Sequence, residues 1–289
     1  MNNSSIIIGS HVNFKENQLL GAAEQAVSYG ANAFMFYTGA PQNTVRKSID
    51  ETYTNKALEY LNAHNISLDN VICHAPYIIN LANKEAPEKW NFSISFLKNE
   101  LARIRKMNVK YMVLHPGNSL KQERSKALKN IADALNIILE DVTDEVILLE
   151  TMAGKGTECG KTVEELKYII DRVEKQDNIG VCLDTCHLHD SGIDITAFEA
   201  YLDEFALHLS LDKIKCIHLN DSKNERGSHK DRHENIGYGQ IGFNALLDVC
   251  YNERLKNVPK ILETPWVNDK PLYKEEIKNL KEKVFNELY

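Results

Sequence analysis

The sequence predicts an α/β fold: a single (β/α)8 barrel spanning residues 1–289. Three observations point to it. Eight short apolar runs recur along the chain, separated by stretches of helical periodicity. Apolar residues within those runs are continuous rather than alternating, as in parallel strands covered on both faces. Nearly every run ends in a side chain able to bind a metal, and the C-terminal strand ends are where this architecture assembles an active site.

In chain order the expected strands are 6–9, 33–37, 71–74, 111–115, 146–150, 179–184, 214–219 and 259–263. A helix over 124–140 would bury Ala127, Leu128, Ile131, Leu135, Ile138 and Leu139. Another over 162–175 opens with Thr162 and Glu165 in capping-box spacing, then sets Val163, Leu166, Ile169, Ile170 and Val173 on one face. Thr196 and Glu199 repeat that start signal ahead of Phe198, Leu202, Phe205 and Leu209. After Pro271 a last helix would bury Leu272, Ile277, Leu280, Val284 and Leu288. No linker, low-complexity tract or second domain interrupts the pattern. The Gly-Ser-His-Lys-Asp-Arg-His stretch reads as a long active-site loop.

With 43% apolar and 26% charged residues, the composition is that of a soluble globular protein with a large core. No stretch approaches the roughly 18–20 apolar residues of a membrane span. The start, MNNSSIIIGSHV, lacks the basic region of a secretory signal. Six cysteines (Cys73, Cys159, Cys182, Cys186, Cys216 and Cys250) form no CxxC pair and read as reduced core thiols of a cytoplasmic protein. Cys186 is not counted as a metal ligand. The formal net charge of −7 does not exclude a nucleic-acid partner. Three bound divalent ions would add six charges and bring −7 to −1, concentrating positive charge on one face.

The strand ends carry the chemistry. His74, His115, Glu150, Asp184, His218 and Glu263 close successive apolar runs; His187 follows Asp184, and a late loop adds Asp231 and His233. Burying each such group costs several kcal/mol unless it is paired or metal-bound. Five histidines and four carboxylates so placed indicate a polynuclear metal site, with zinc the first choice. Singly, each has a plainer reading: a core histidine bonded to a carbonyl for His74 or His115, a helix N-cap for Asp184, a polar loop residue for His187, a solvated charged loop for Asp231 and His233 between Lys230 and Arg232. Together the nine outweigh those readings. Asp184 and His187, three apart across a strand exit, are expected to serve different metals. Asp231 and His233, two apart in an extended segment, would point to one side. His64 and His208 read as structural, His189 and His229 as redundant loop residues, and His11 as support for a ligand or substrate.

The motifs HAPYIINLA, HPG, LLETMAGKGTECG, VCLDTCH, HLNDSKN, GSHKDRHENIGYGQIG and ILETP resemble the endonuclease IV family of zinc-dependent apurinic/apyrimidinic endonucleases over essentially the whole chain. The resemblance implies a TIM barrel holding three zinc ions, with manganese able to enter sites of this type. The first would be held by His74, His115 and Glu150. The second would take the bridging Glu150 with Asp184, His218 and Glu263, and the third His187, Asp231 and His233. It implies cleavage of duplex DNA 5′ to an abasic site by a hydroxide between the first two ions, giving a 3′-hydroxyl and a 5′ deoxyribose phosphate. It further implies that Glu150 and Glu263 are the catalytic carboxylates, with Glu263 orienting the nucleophile. Tyr77, with Ile78 beside it, matches a wedge that fills the gap in the base stack. Family members can place an arginine wedge in the loop after the second strand, where this chain offers Gln42 and Asn43. Lys155, Lys223, Arg226, Lys230 and Arg232 are the expected phosphate contacts. A monomer is expected on family grounds.

The rival enzyme is a xylose-isomerase-like sugar isomerase or epimerase on the same barrel. It would use Glu150, Asp184, His218 and Glu263 but has no use for the other five ligands. A zinc-stabilised binder of damaged DNA would use all nine without turnover, and the open coordination of the set argues against it.

Overall fold

A computed structural model describes residues 6–289. Eight parallel strands form the barrel: β1 (Ile8–His11), β2 (Ala33–Phe36), β3 (Val71–His74), β4 (Tyr111–Leu114), β5 (Val146–Glu150), β6 (Ile179–Asp184), β7 (Ile214–His218) and, after a short β8 (Asp221–Ser222) and β9 (His233–Glu234), β10 (Lys260–Leu262). The barrel closes in the order β1-β10-β7-β6-β5-β4-β3-β2. The expected strands 71–74, 146–150 and 179–184 keep their bounds, and four others lose one or two residues at their ends. The first lies elsewhere than expected: Ile6 and Ile7 precede the strand, which runs on to His11. Gly9 belongs to both spans: a Cβ there would collide with the Ala33 carbonyl, so only glycine lets β1 pack against β2 at that point.

Nine helices of the described residues surround or cap the strands: α1 (Gln18–Ser28), α2 (Glu51–Ala63), α3 (Pro87–Lys106), α4 (Arg124–Leu139), α5 (Val163–Ile170), α6 (Thr185–Ser191), α7 (Phe198–His208), α8 (Phe243–Cys250) and α9 (Tyr273–Glu282). Helix α4 matches its expected span to within one residue. Helix α5 starts where expected, with the Thr162 side chain accepting from Glu165 N, but ends at Ile170. The capping box is not reciprocal. Glu165 accepts from Gly160 N and Lys161 N and pairs with Arg124 instead. Thr196 is no helix cap, for Asp194 caps a 3-10 turn and α7 begins only at Phe198. The last helix also stops early, at a left-handed Lys283, leaving Val284 exposed.

Strand side chains divide by parity. Ala33, Met35, Ile72, Val113, Leu148, Cys182, Cys216 and Ile261 fill the barrel interior, while their neighbours Phe34, Phe36, Cys73, Met112, Leu149, Leu183 and Leu262 pack against the helices. Burial on both faces explains the continuous apolar runs. The late loop is tied by the antiparallel pair β8 with β9, which sequence patterning does not reveal.

Candidate metal centre

Parity also builds the site. Two residues beyond the inward Ile72, Val113, Leu148, Cys182, Cys216 and Ile261 stand His74, His115, Glu150, Asp184, His218 and Glu263, again on the inward register at the barrel mouth. The same step from Gly9 and Met35 gives His11 and Tyr37, so every strand contributes one residue to this layer. Asp184 also caps α6, accepting from His187 N at 2.8 Å, and the helix turn carries His187 to the far side of the cluster. Asp184 is thus both the N-cap its plainer reading supposed and a member of the cluster.

Glu150 sits at the centre, and its two oxygens face opposite ways. Oε2 lies 3.2 Å from His74 Nε2 and 3.0 Å from His115 Nε2. Oε1 lies 3.0 Å from His218 Nδ1 and 3.3 Å from His187 Nδ1. Glu263 Oε2 is 3.1 Å from the same His218 nitrogen, and Asp184 Oδ2 is 3.7 Å away. On the far side Asp231 Oδ1 meets His187 Nε2 at 3.1 Å and His233 Nε2 at 3.7 Å. Donor atoms therefore gather in three groups: His74, His115 and Glu150; Glu150, Asp184, His218 and Glu263; His187, Asp231 and His233.

Three of the histidines are oriented from behind. Ring nitrogen Nδ1 of His74 bonds the Ala75 carbonyl, that of His187 the Thr151 carbonyl and that of His233 the Glu263 carbonyl. Each bond puts a proton on Nδ1 and turns Nε2 toward a carboxylate, so that Nε2 is the atom left to ligate a cation. His233 Nε2 is buried without a hydrogen-bond partner. The nitrogen and oxygen donor set suits zinc and leaves coordination positions for a substrate.

Without a cation the charges press on one another. Burial alone would raise the Glu150 carboxyl, but His218 and His115 overcome it and hold it well below the usual range. Burial opposes the charge of His218 and of His187, yet Glu263 and Glu150 lift the former, and Asp184 and Asp231 the latter, well above the ordinary imidazole value. The centre thus holds protons where divalent ions would otherwise lie.

Residues 23–283 match the profile of the family described as xylose isomerase-like TIM barrel. The chain is 48% identical over 285 residues to the probable endonuclease 4 of Mesoplasma florum, covering 97% of each. It is 49% identical over 286 residues to that of Listeria welshimeri, covering 96% of each. The chain belongs to the endonuclease IV family. Among solved structures, endonuclease IV from Thermus thermophilus superposes with a TM-score of 0.81 at 27% identity, over 96% of this chain and 99% of that one. A D-tagatose 3-epimerase-like protein shares the fold alone, with a TM-score of 0.66 at 18% identity over 95% and 96% of the two chains.

Around this endonuclease IV centre the expected DNA contacts scatter more widely than the ligands. Tyr77 is 55% exposed on the turn after His74, with Ile78 half-buried beside it. Gln42 is exposed at the tip of the loop after β2, and Lys155, Lys230 and Arg232 are exposed on the loops around the third donor group. Lys223 lies 3.7 Å from Glu234, and Arg226 is held by Asp194 at 2.6 Å.

Several expectations need correction. Asp231 has a left-handed backbone (φ 55°) rather than an extended one, so its approach to His233 comes from a turn and not from strand spacing. His187 and His189 are helical, on α6, rather than in a loop. Buried His189 bonds the Asn224 carbonyl, and His229 bonds that of Ala153. The six cysteines are unpaired and buried as expected. Cys182 and Cys216, however, lie with His218, and Cys186 with Asp184 and His233, in groups whose donor atoms fall within 4.8 Å. His11 is half-buried, and desolvation pushes its imidazole down to about 4. Its ring centroid lies 5.1 Å from that of Tyr37, which in turn lies 5.0 Å from that of His74.

Sequence reasoning missed the residues that hold the ligands. Asn220 donates to Asp184 Oδ2 at 2.8 Å and accepts from Glu263 N at 2.8 Å. Thr151 receives Asp184 N at 2.9 Å. Asp190, fully buried, accepts from Asp231 N at 2.8 Å and from the Ser222 hydroxyl at 2.7 Å. Asp221 gathers the backbone N–H groups of Gly237, Gly239, Ile241 and Gly242. Polar residues immediately after the strand-end ligands, in LET and HLND, were the available signal.

Proposed function

We propose that the chain is a zinc-dependent apurinic/apyrimidinic endonuclease. It hydrolyses the phosphodiester bond 5′ to an abasic site in duplex DNA, leaving a 3′-hydroxyl and a 5′ deoxyribose phosphate. The observation that carries this reading is Glu150, whose two oxygens face two separate histidine groups as a bridging carboxylate must. The relatives' names, endonuclease 4 and endonuclease IV, support the same reaction. Three zinc ions fit the three donor groups, with manganese an alternative occupant.

When bound, the ions supply Lewis acidity to the phosphate and make water a nucleophile near neutral pH. The chain's own residues set the geometry. Glu150 keeps the first two groups in register, and Glu263 orients the attacking water beside them. His187, Asp231 and His233 face the departing 3′ oxygen from the opposite side. Tyr77 and Ile78 fill the space left by the missing base, Gln42 reaches the orphan base, and Lys155, Lys223, Arg226, Lys230 and Arg232 meet phosphates. Residues 1–289 act as one catalytic domain, a monomer working in the cytoplasm.

The sugar-isomerase reading accounts for only four of the nine clustered ligands. The test is incision of a duplex with a single abasic site by protein whose metals have been counted. Cutting 5′ to the lesion with three zincs per chain, indifferent to magnesium, is the expected result. Intact DNA together with one or two metals would favour the sugar enzyme.

A further inference from the structure

The loop after β2, residues 38–50, has no regular structure and carries Gln42 and Asn43 at its tip. It stands between two hollows. A cavity of about 410 Å³ lies on the α1 side, lined by Phe14, Gln18 and Asn43 among others, and one of about 430 Å³ on the α3 side, lined by Arg46, Phe96 and Arg103. With so little apolar packing on either side, an irregular loop of this length would sample many conformations.

Polar groups fix it instead: Gln18 secures its far end, donating to the Ser48 carbonyl at 2.7 Å and accepting from Asp50 N at 2.9 Å, and charged groups hold the rest. Arg46 turns inward, its side chain only 9% exposed, and pairs through Nε with Glu100 Oε1 at 3.0 Å. Its Nη1 donates to the carbonyls of Asn43 at 3.0 Å and Val45 at 2.9 Å, curling the tip around the guanidinium. Arg103, one turn along α3, donates to the carbonyls of Thr38 at 3.2 Å and Lys47 at 2.7 Å, joining the two ends of the loop. Glu100 is fully buried, also accepts from the Thr38 hydroxyl, and lies 3.7 Å from Arg103. One buried carboxylate thus neutralises two arginines that together hold five loop carbonyls, that of Ala40 at 3.4 Å from Arg46 included.

We propose that Glu100, Arg46 and Arg103 form a clamp that presets loop 38–50 for DNA, with Glu100 as the positioning residue that governs substrate binding without touching DNA or metal. The proposal rests on the endonuclease reading. Arg46, the arginine nearest the tip, serves as the loop's internal post rather than as an inserted side chain or a phosphate contact.

The test uses zinc-loaded full-length Glu100→Gln and Arg46→Gln proteins. Charge-assisted hydrogen bonds lie behind the clamp, so KM for abasic duplex should rise about tenfold in Glu100→Gln while kcat stays within about twofold. Trypsin should cut Glu100→Gln after Arg46 or Lys47 faster than wild type at a temperature well below the melting point of both proteins, with cleavage elsewhere in the chain unchanged. In Arg46→Gln affinity should fall while the slope of log affinity against log salt keeps its wild-type value, since no phosphate contact is lost. A slope shallower by about one would make Arg46 a DNA contact and overturn the proposal. So would an unchanged KM and trypsin rate in Glu100→Gln, or a loss confined to kcat. Wild type that leaves abasic DNA intact would sink the endonuclease reading instead, and the trypsin comparison would still decide the clamp.

Discussion

Glu263 and Glu150 are both carboxylates facing His218, yet they occupy different positions in the centre. Glu150 divides its oxygens between two histidine groups, whereas Glu263 faces one. Glu263→Gln keeps the shape and removes the charge that the proposed mechanism sets beside the attacking water. We expect abasic-duplex affinity to hold while single-turnover cleavage falls on the order of a thousandfold. Near-normal cleavage would remove Glu263 from the mechanism. In the proposed reaction Tyr77 would act on the substrate and not on the chemistry. Its exposed ring has no structural duty that Ala would forfeit, and base-sized stacking contributes about 1–3 kcal/mol. Tyr77→Ala should therefore weaken abasic duplex roughly tenfold or more while barely changing intact duplex, as fluorescence anisotropy on the two DNAs would show. Equal losses on both would make it a general contact. All nine clustered donor residues were legible in the sequence because each is chemically unusual at a buried strand end or loop. Asn220, Thr151 and Asp190 were not, because asparagine, threonine and aspartate are common after strands and only their partners distinguish them.

Strands and loops carry their own consequences. On β10, Lys260 is fully buried and donates to the Leu255 carbonyl at 2.8 Å, with burial pushing its ammonium down to about 8 from 10.5. The unfolded chain then binds more protons than the folded one between those values. The cost is full below about pH 8 and gone by about pH 10.5. Lys260→Met should stabilise the barrel by about 1–3 kcal/mol at pH 7 and by little at pH 10.5, measured by denaturant melts at both. A gain equal at both pH values would assign the effect to packing. In the late loop, Asp190 pins the backbone of Asp231 beneath the third donor group. Asp190→Asn should weaken that group's metal about 10–100-fold, so dialysed protein would retain two zincs instead of three. Full retention would show that β8 and β9 fix the loop unaided. The β8–β9 pair escaped sequence reading because two-residue strands have no periodicity to detect.

At the scale of the molecule, strand ends, one helix turn and one late loop bring nine ionisable groups into one mouth. Metal-free protein must keep protons there. The raised His187 and His218 stabilise the fold fully below the ordinary imidazole value of 6.5 and lose that contribution as pH rises through their elevated folded values. Metal binding runs the other way, since it needs neutral imidazole. The melting-temperature gap between zinc-loaded and chelated protein should thus widen from about pH 6 to about pH 8 in paired calorimetric scans, and a gap that narrowed would contradict the metal reading. No helix of the described residues is long and apolar enough to cross a membrane. What the sequence determined by itself was the eight barrel strands and the side chains that cluster at the barrel mouth, because a parallel strand buried on both faces writes its burial directly into a short run, and a side chain that serves the mouth must stand at the run's end. Only the tertiary structure decided which oxygen of Glu150 faces which histidines, that His11 and Tyr37 complete the inward layer, and that Arg46 turns into the protein instead of out toward DNA. Those outcomes depend on where partners distant in sequence lie, and spacing along the chain holds no record of them.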